Sequence, residues 1–277
     1  MVKLDRRLML TTADIAFADR GAGEPVVVLT HGAGVDHSMF DAQAASLGRR
    51  GARVILWDMR GHGRSTLADG SRFTAVDALG DLGALLAECG VDAPVLVGHS
   101  LGGNLVQAFA RKHPDRVGGV IVLDSAWNAG PLSTSERLAL RLAAPVLSLI
   151  PRSVLPRLMA RASAESPEAV ARAEAVFARM PKPVFLDVWK GTASFVAPDP
   201  GHRSPVPIAL VRGGRDRTGN IAGAMARWAA AEGVTEHVIP DAGHMVTWDA
   251  PDAVSRVLAE ILEGWGLLPA RPEGRSL

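Results

Sequence analysis

The pentapeptide Gly98-His99-Ser100-Leu101-Gly102 constrains the fold of this chain more than any other feature of its sequence. It lies between the apolar run 94–97 and the helix-like stretch 105–113, so a strand, a tight turn and a helix are expected in succession. A turn that exposes a serine hydroxyl has strained backbone angles and no room for neighbouring Cβ atoms, which explains both glycines. The helix that follows directs its free N–H groups toward this turn. The pattern predicts a nucleophilic serine at a strand-to-helix turn.

Short apolar runs alternate with helical patterns along most of the chain. Strands of a parallel sheet that is covered on both faces are short and continuously apolar, as these runs are. Strands and helices in alternation form βαβ units, so the sequence predicts an α/β fold with a doubly wound, mostly parallel sheet. The segment 14–19 is expected to add an antiparallel strand at the sheet edge. The predicted strands are 26–29, 54–57, 95–97, 120–123, 208–211 and 237–239, and the predicted helices are 39–49, 76–89, 105–113, 222–231 and 253–265.

The region 127–203 interrupts this alternation, since it contains helical patterns broken by prolines and no convincing strand. Its segment 138–150 is strongly apolar, with Arg137 and Arg141 on one edge. Ligands of open α/β sheets bind outside the carboxyl ends of the strands, so we expect a helical cap or lid over a pocket. A small helical subdomain that only packs on the sheet is the alternative. The predicted division is a core formed by 1–126 and 204–277 and a cap formed by 127–203.

Composition narrows the class of protein. The chain has 277 residues, 48% of them hydrophobic, and its 30 basic residues nearly balance 29 acidic ones, which does not favour nucleic-acid binding. The single cysteine, Cys89, excludes an internal disulfide framework and fits a reducing compartment. Neither a signal peptide nor a membrane span is expected. We therefore expect a cytoplasmic enzyme. Formation of a homodimer is possible.

A serine hydroxyl is nearly inert at neutral pH and needs a base, which in turn needs an orienting carboxylate. In a strand–turn–helix layout of this kind, the acid and then the histidine follow the serine, each after a strand. Asp216 follows the predicted strand 208–211, and His244 follows the last predicted strand behind small residues. Asp124, at the end of 120–123, is the competing acid, and we prefer Asp216.

An oxyanion hole requires two N–H donors near the serine. The backbone N–H of Leu101 is the first candidate. The second is expected from the loop after the strand 26–29, where the N–H of Ala33 is preferred and that of Gly34 is the alternative. In the same loop, His31 is expected to order the backbone and not to act as a second base, and Gly32 provides flexibility.

These features resemble the α/β-hydrolase superfamily over nearly the whole chain. The resemblance rests on His31-Gly32, the segment 57–65 (Trp-Asp-Met-Arg-Gly-His-Gly-Arg-Ser), the turn at 98–102, Asp216 and His244. It implies that 57–65 is a structural turn and that 127–203 is the helical cap of the family. A serine at the turn differs from the aspartate that epoxide hydrolases and haloalkane dehalogenases of this fold use there.

The resemblance and the residues together predict a serine hydrolase that cleaves a small to medium carboxylic ester or lactone through an acyl-enzyme. No cofactor and no metal site are expected. Contacts with the substrate are predicted for His31, Gly32, Gly34, Trp127 and Trp248. A carbon–carbon bond hydrolase or a cofactor-free haloperoxidase-type enzyme on the same triad is an alternative, and a ligand receptor without turnover is another.

Overall fold

The computed structural model describes residues 2–270 of the chain; Met1 and residues 271–277 lie outside the described residues. The strands are β1 (Arg6–Met9), β2 (Ala13–Arg20), β3 (Val26–Thr30), β4 (Arg53–Trp57), β5 (Thr66–Leu67), β6 (Val95–His99), β7 (Gly119–Leu123), β8 (Ile208–Gly213) and β9 (Glu236–Ile239). The α-helices are α1 (Asp41–Arg49), α2 (Ala75–Glu88), α3 (Leu101–Lys112), α4 (Thr134–Leu149), α5 (Leu155–Ser163), α6 (Pro167–Phe177), α7 (Lys182–Ser194), α8 (Ile221–Glu232), α9 (Val246–Asp249) and α10 (Pro251–Gly264). None of the helices in 2–270 is long and apolar enough to cross a membrane.

Within the described residues, nine strands form one sheet in the order β1-β2-β4-β3-β6-β7-β8-β9, with β5 beside β2. All neighbours from β4 to β9 are parallel, while β2 is antiparallel to β1, β4 and β5. The prediction of an α/β fold with a doubly wound, mostly parallel sheet is therefore confirmed. The carboxyl ends of β3, β6, β7, β8 and β9 consequently lie at one edge of the sheet.

The predicted antiparallel strand 14–19 is present as β2, but its place at the sheet edge was wrong. The edge belongs to β1, which pairs with β2 from Arg6 opposite Phe17 to Met9 opposite Asp14. The sequence of β1 has no continuous apolar run because the strand is mostly exposed, and arginines are common on such edges. Hydrophobic patterning therefore gave no signal for it.

Both faces of the sheet are covered, as the apolar strands require. Along β3, Val27 and Leu29 belong to one buried cluster, whereas Val26 and Val28 belong to the other. The first cluster includes side chains of α1 and α10, and the second includes side chains of α2, α3 and α8. This alternation places the helices on two sides and leaves the carboxyl edge of the sheet for loops.

Four helices, α4 to α7, lie between β7 and β8 and are called the inserted helices below. Side-chain caps mark the starts of two of them, α4 and α6. Ser133 and Glu136 form a capping box at α4, and the Ser166 side chain accepts the N–H of Ala169 at α6. The predicted boundaries of a separate cap domain at 127 and 203 stay a prediction.

The segment after β4 is fixed by buried hydrogen bonds. Asp58 accepts hydrogen bonds from the ring Nδ1 of His37 at 2.8 Å and from the backbone N–H of Arg64 at 2.7 Å. Arg60 donates to both carboxylate oxygens of Asp81 on α2, at 2.6 Å each, and both side chains are buried. The geometry gives this segment a structural role, as the resemblance implies.

We expect Arg60→Met to lower the free energy of unfolding by about 3–5 kcal/mol, because it leaves the buried Asp81 without its partner. Urea unfolding followed by circular dichroism measures the change. The double variant Arg60→Met/Asp81→Leu is the control and should recover most of the loss, since no buried charge remains. A double variant as unstable as the single one would contradict this account of the pair.

Candidate functional site

Ser100 occupies the turn between β6 and α3 with a strained backbone, at φ 51° and ψ −115°. A positive φ is rare for a residue with a side chain, so the surrounding structure must impose it. The backbone N–H of Ser100 donates to the carbonyl of Leu123 at 2.9 Å, and the hydroxyl of Ser125 donates to the carbonyl of Ser100 at 2.7 Å. The end of β7 therefore holds the turn on both sides of the serine.

The two glycines of the turn have no room for a side chain. A Cβ atom at Gly98 would lie 2.3 Å from the carbonyl oxygen of Gly102, and one at Gly102 would lie 2.2 Å from the carbonyl oxygen of Thr30. Both obstacles are backbone atoms, which cannot rotate away. The close approach of Gly102 to Thr30 also brings the turn against the loop that follows β3.

His244 and Asp216 are joined by a hydrogen bond of 3.0 Å between ring Nδ1 and carboxylate Oδ2, and both side chains are buried. Burial opposes ionisation of Asp216, but the His244 imidazole and the N–H of Thr218 lower its pKa to about 2. Asp216 is therefore a carboxylate at neutral pH. The bond uses Nδ1 of His244 and so fixes the orientation of the ring.

No hydrogen bond joins the Ser100 hydroxyl to His244 within residues 2–270. Such bonds are often long in enzymes without a bound substrate. The two residues are connected through His99, the neighbour of Ser100, whose Nε2–H donates to the backbone carbonyl of His244 at 2.7 Å. The rings of His99 and His244 lie 4.8 Å apart between centroids. The structure thus brings the loop of His244 against the serine turn.

Asp124, the competing acid, is fully buried at the end of β7 and has a positive φ of 43°. Its Oδ1 accepts the backbone N–H of Gly213 at 2.8 Å. Burial and the nearby Asp216 carboxylate raise the pKa of Asp124 well above its usual range. Two carboxyl groups therefore lie beside one imidazole, and Asp216 is the one that is bonded to the ring.

A metal ion has one candidate position in the part of the chain that the structure describes. Single ligand atoms of Asp124, Asp216 and His244 lie within 4.8 Å of one another. Nδ1 of His244 and Oδ2 of Asp216 are already bonded to each other, so a metal would have to replace that bond. The arrangement fits an orienting acid and a base better than a ligand set.

The loop after β3 lies directly beside Ser100. A Cβ atom built on Gly32 would lie 3.3 Å from the Cβ atom of Ser100. His31 is fully buried; its Nδ1–H donates to the carbonyl of Gly32 at 2.7 Å, and its Nε2 accepts the N–H of Met59 at 2.9 Å. These bonds give His31 the role of ordering the loop. The assignment of Ala33 or Gly34, together with Leu101, as oxyanion donors stays a prediction.

The inserted helices reach the same loop through two aromatic rings. Gly34 has a φ of 76°, and a Cβ atom there would lie 2.7 Å from Phe177 and 2.8 Å from Phe185. The rings belong to α6 and α7. An apolar wall therefore stands over the loop that is predicted to stabilise the oxyanion.

Trp127 and Trp248 lie in different surroundings. Trp127 stacks on Trp228 at 6.1 Å between ring centroids and lines a cavity of about 390 Å³ whose lining contains neither Ser100 nor His244. Trp248 is buried on α9, with the guanidinium of Arg172 at 5.1 Å from the centroid of one ring. Substrate contacts of these tryptophans stay predictions.

Asp249 is a positioning residue that sequence reasoning missed. Its carboxylate accepts the N–H groups of Gly243 at 2.9 Å, Glu165 at 3.0 Å and Ser166 at 2.8 Å. It therefore ties the loop of His244 to the connection between α5 and α6. Ser125, which supports the serine turn, was missed as well. No sequence signal marks either residue, because their partners are far away along the chain.

Buried histidines create a dependence of stability on pH. Burial lowers the pKa of His62 to about 4, so the ring stays neutral in the fold while the unfolded chain binds a proton below about pH 6.5. The unfolded state then binds more protons, and this group's contribution to the free energy of unfolding falls as the pH decreases. Burial likewise lowers the pKa values of His31 and His99, each to about 3.

We expect the His62→Asn variant to gain about 2 kcal/mol relative to the wild type when the pH falls from 7 to about 5. The comparison isolates His62 because every other titrating group is common to both proteins. Urea midpoints at both pH values measure it. A difference between wild type and variant that stays constant with pH would show that the buried ring does not remain neutral.

A family model described as "Alpha/beta hydrolase family" matches residues 27–257. The chain belongs to this family. An esterase from Thermogutta terrifontis has a similar structure, with a TM-score of 0.79, 27% identity, and coverage of 94% of this chain and 98% of that one.

Curated relatives of this alpha/beta hydrolase carry different names. The bifunctional esterase/perhydrolase DCH of Acinetobacter calcoaceticus is 36% identical over 115 residues, which are 41% of either chain. An epoxide hydrolase of Caballeronia sordidicola is 35% identical over 122 residues, or 43% of this chain and 37% of the relative. The matched segments thus span less than half the length of these relatives, and the names show only that the family catalyses several reactions.

Proposed function

We propose that the protein is a serine hydrolase that cleaves a small to medium carboxylic ester or lactone. Ser100 is the nucleophile, His244 the general base and Asp216 the acid that orients it. The observation that carries the proposal is the strained serine turn beside a buried, hydrogen-bonded histidine–carboxylate pair. Similarity over most of the chain to an esterase supports it.

In the proposed reaction, His244 removes the hydroxyl proton of Ser100 as the serine oxygen attacks the carbonyl carbon. The N–H groups of Leu101 and Ala33 stabilise the oxyanion. His244 then protonates the alcohol oxygen, which leaves, and an acyl-enzyme remains. A water molecule that gives its proton to His244 attacks this ester, and the acid is released as Ser100 regains its proton.

An uncharged acyl group suits the surroundings of the loop after β3. Phe177 and Phe185 lie against Gly34, and both line a cavity of about 550 Å³ between the inserted helices. A second cavity of about 330 Å³ is lined by Gly34 and Val176. Aromatic walls favour apolar groups. Both cavities lie beside the loop after β3 or the rings that contact it, and the lining of neither includes Ser100 or His244. We infer that the inserted helices form a cap over the site.

The test is hydrolysis of a panel of chromogenic acyl esters of increasing chain length, together with several lactones. We expect turnover that saturates with substrate and prefers one chain length. A burst of chromophore equal to the enzyme concentration would reveal the acyl-enzyme. Absence of turnover across the whole panel would reject the proposal.

The same panel separates the alternatives. Cleavage of a vinylogous diketone without ester turnover would indicate a carbon–carbon bond hydrolase, and halide-dependent oxidation with peroxide would indicate a haloperoxidase-type enzyme. Tight ligand binding without any turnover would indicate a receptor. The serine at position 100 argues against epoxide hydrolysis, because epoxide hydrolases of this fold use an aspartate at that turn. Location in the cytoplasm and homodimer formation stay predictions.

A further inference from the structure

Helix α4 exposes an apolar face that no described residue covers. Its members, called the outer face below, are Leu138, Leu142, Val146 and Leu149, with exposed fractions of 55%, 47%, 55% and 83%. At 3.6 residues per turn they fall within an arc of about 80°. Four large apolar side chains in one stripe are unusual on a solvent-exposed helix, whose outer side is normally polar.

The opposite side of α4 already forms the contact with the rest of the molecule. Ala144 is buried there, and Leu147 packs against the first buried cluster, the one that contains Val27 and Leu29. Glu136, at the start of the helix, accepts a hydrogen bond from Asn220 at 2.7 Å. The helix is therefore apolar on two sides, and only one side is used within residues 2–270. The outer face is not needed to hold α4 in place.

The charge of this region differs from that of the remaining chain. The segment 134–163 has five arginines and one acidic residue, a net charge of +4, while the other residues carry −3 of the chain total of +1. All five arginines are exposed, and none forms an ion pair with another residue in 2–270. The five are Arg137, Arg141, Arg152, Arg157 and Arg161.

Further exposed apolar side chains follow α4 along the chain. Val154 and Leu158 follow at the start of α5, with exposed fractions of 49% and 47%, and Arg157 and Arg161 lie on the same helix. Exposed aliphatic side chains interspersed with arginines are typical of helices that lie in the interface of a membrane with anionic lipids. A second copy of this chain would place the two cationic surfaces against each other.

We propose that the outer face of α4, with the arginines of 134–163, docks this protein on an anionic lipid surface. The leucines and valine enter the boundary between headgroups and acyl chains, and the arginines contact lipid phosphates. The inserted helices would then face the membrane, so that an apolar substrate could reach them from the lipid. Docking is independent of the proposed ester hydrolysis.

Co-sedimentation of the full chain with vesicles tests the proposal. One set contains phosphatidylcholine alone, and the other an equimolar mixture of phosphatidylcholine and phosphatidylglycerol. We expect affinity for the mixed vesicles at least about tenfold higher, decreasing with salt as screening predicts. Leu142→Glu/Leu149→Glu should lower it by at least about tenfold. Changing any one of Arg137, Arg141, Arg157 and Arg161 to glutamine should lower it by about fivefold.

Val76→Glu is the matched control, because Val76 is 78% exposed on α2, outside the cationic segment. It should bind vesicles as the wild type does. Hydrolysis of a water-soluble ester tests folding and catalysis independently of vesicle binding. All of these variants should retain this hydrolysis. Equal affinity for the two kinds of vesicle, or no binding to either, would overturn the proposal. It would also be overturned if the wild type self-associated without binding vesicles and Leu142→Glu/Leu149→Glu abolished that self-association.

Discussion

Replacing Ser100 by alanine is expected to lower kcat for ester hydrolysis about 10⁴- to 10⁶-fold, because no other group can form the acyl-enzyme. Binding of the substrate should change little, since only the hydroxyl oxygen is removed. Steady-state rates with the best ester of the panel measure kcat and KM. The burst of chromophore should disappear together with turnover.

Ser125→Ala is the matched control for this variant. It makes the same chemical change one strand away, where the hydroxyl donates to the carbonyl of Ser100. The decrease in kcat for Ser125→Ala should stay below about tenfold, which corresponds to the loss of one neutral hydrogen bond. Thermal unfolding should show that both variants are folded. Similar rates for the wild type and Ser100→Ala would mean that Ser100 is not the nucleophile.

Replacing Asp216 by asparagine is expected to lower kcat about 10⁴-fold, because an amide neither stabilises the imidazolium nor fixes the correct ring tautomer. The hydrogen bond of 3.0 Å to Nδ1 of His244 is the contact that changes. Since the pKa of Asp216 is about 2, the wild-type carboxylate is ionised throughout the neutral range. Rates at several pH values measure the effect.

Asp124→Asn gives the decisive comparison. Burial and the Asp216 carboxylate raise the pKa of Asp124, which favours the neutral form of its side chain. The amide oxygen of asparagine can also accept the N–H of Gly213 that Oδ1 of Asp124 accepts. The decrease in kcat for Asp124→Asn should therefore stay below about tenfold. The double variant should have the same kcat as Asp216→Asn. A greater loss for Asp124→Asn than for Asp216→Asn would transfer the role of the acid to the end of β7.

Much of the fold could be predicted because its signals are local. The apolar strands that became β3 and β7 are continuous runs, which only a sheet covered on both faces requires. The predicted helix 76–89 corresponds to α2, which begins where the Thr74 side chain accepts the N–H of Asp77, a contact between near neighbours. In contrast, β1 is exposed and rich in arginine, and β5 has only two residues, so neither carries a hydrophobic pattern.

The candidate site was only partly accessible from sequence. The sequence placed Asp124 and Asp216 at the ends of two consecutive predicted strands, and either carboxylate could reach the histidine. The structure separates them, because Oδ1 of Asp124 accepts the N–H of Gly213 while Asp216 bonds the ring of His244. Asp249 is a further example, since its bonds to Glu165 and Ser166 span more than 80 residues.

By itself, the sequence determined the alternation of strands and helices, the tight turn around Ser100 and the chain order of Asp216 and His244. These follow from side-chain periodicity and from the space that a Cβ atom needs, both of which act between near neighbours. Only the tertiary structure decided which carboxyl group bonds the ring of His244, what Trp127 packs against and that the outer face of α4 stays exposed. Those properties depend on burial and on distances between segments remote in the chain, which no local pattern encodes.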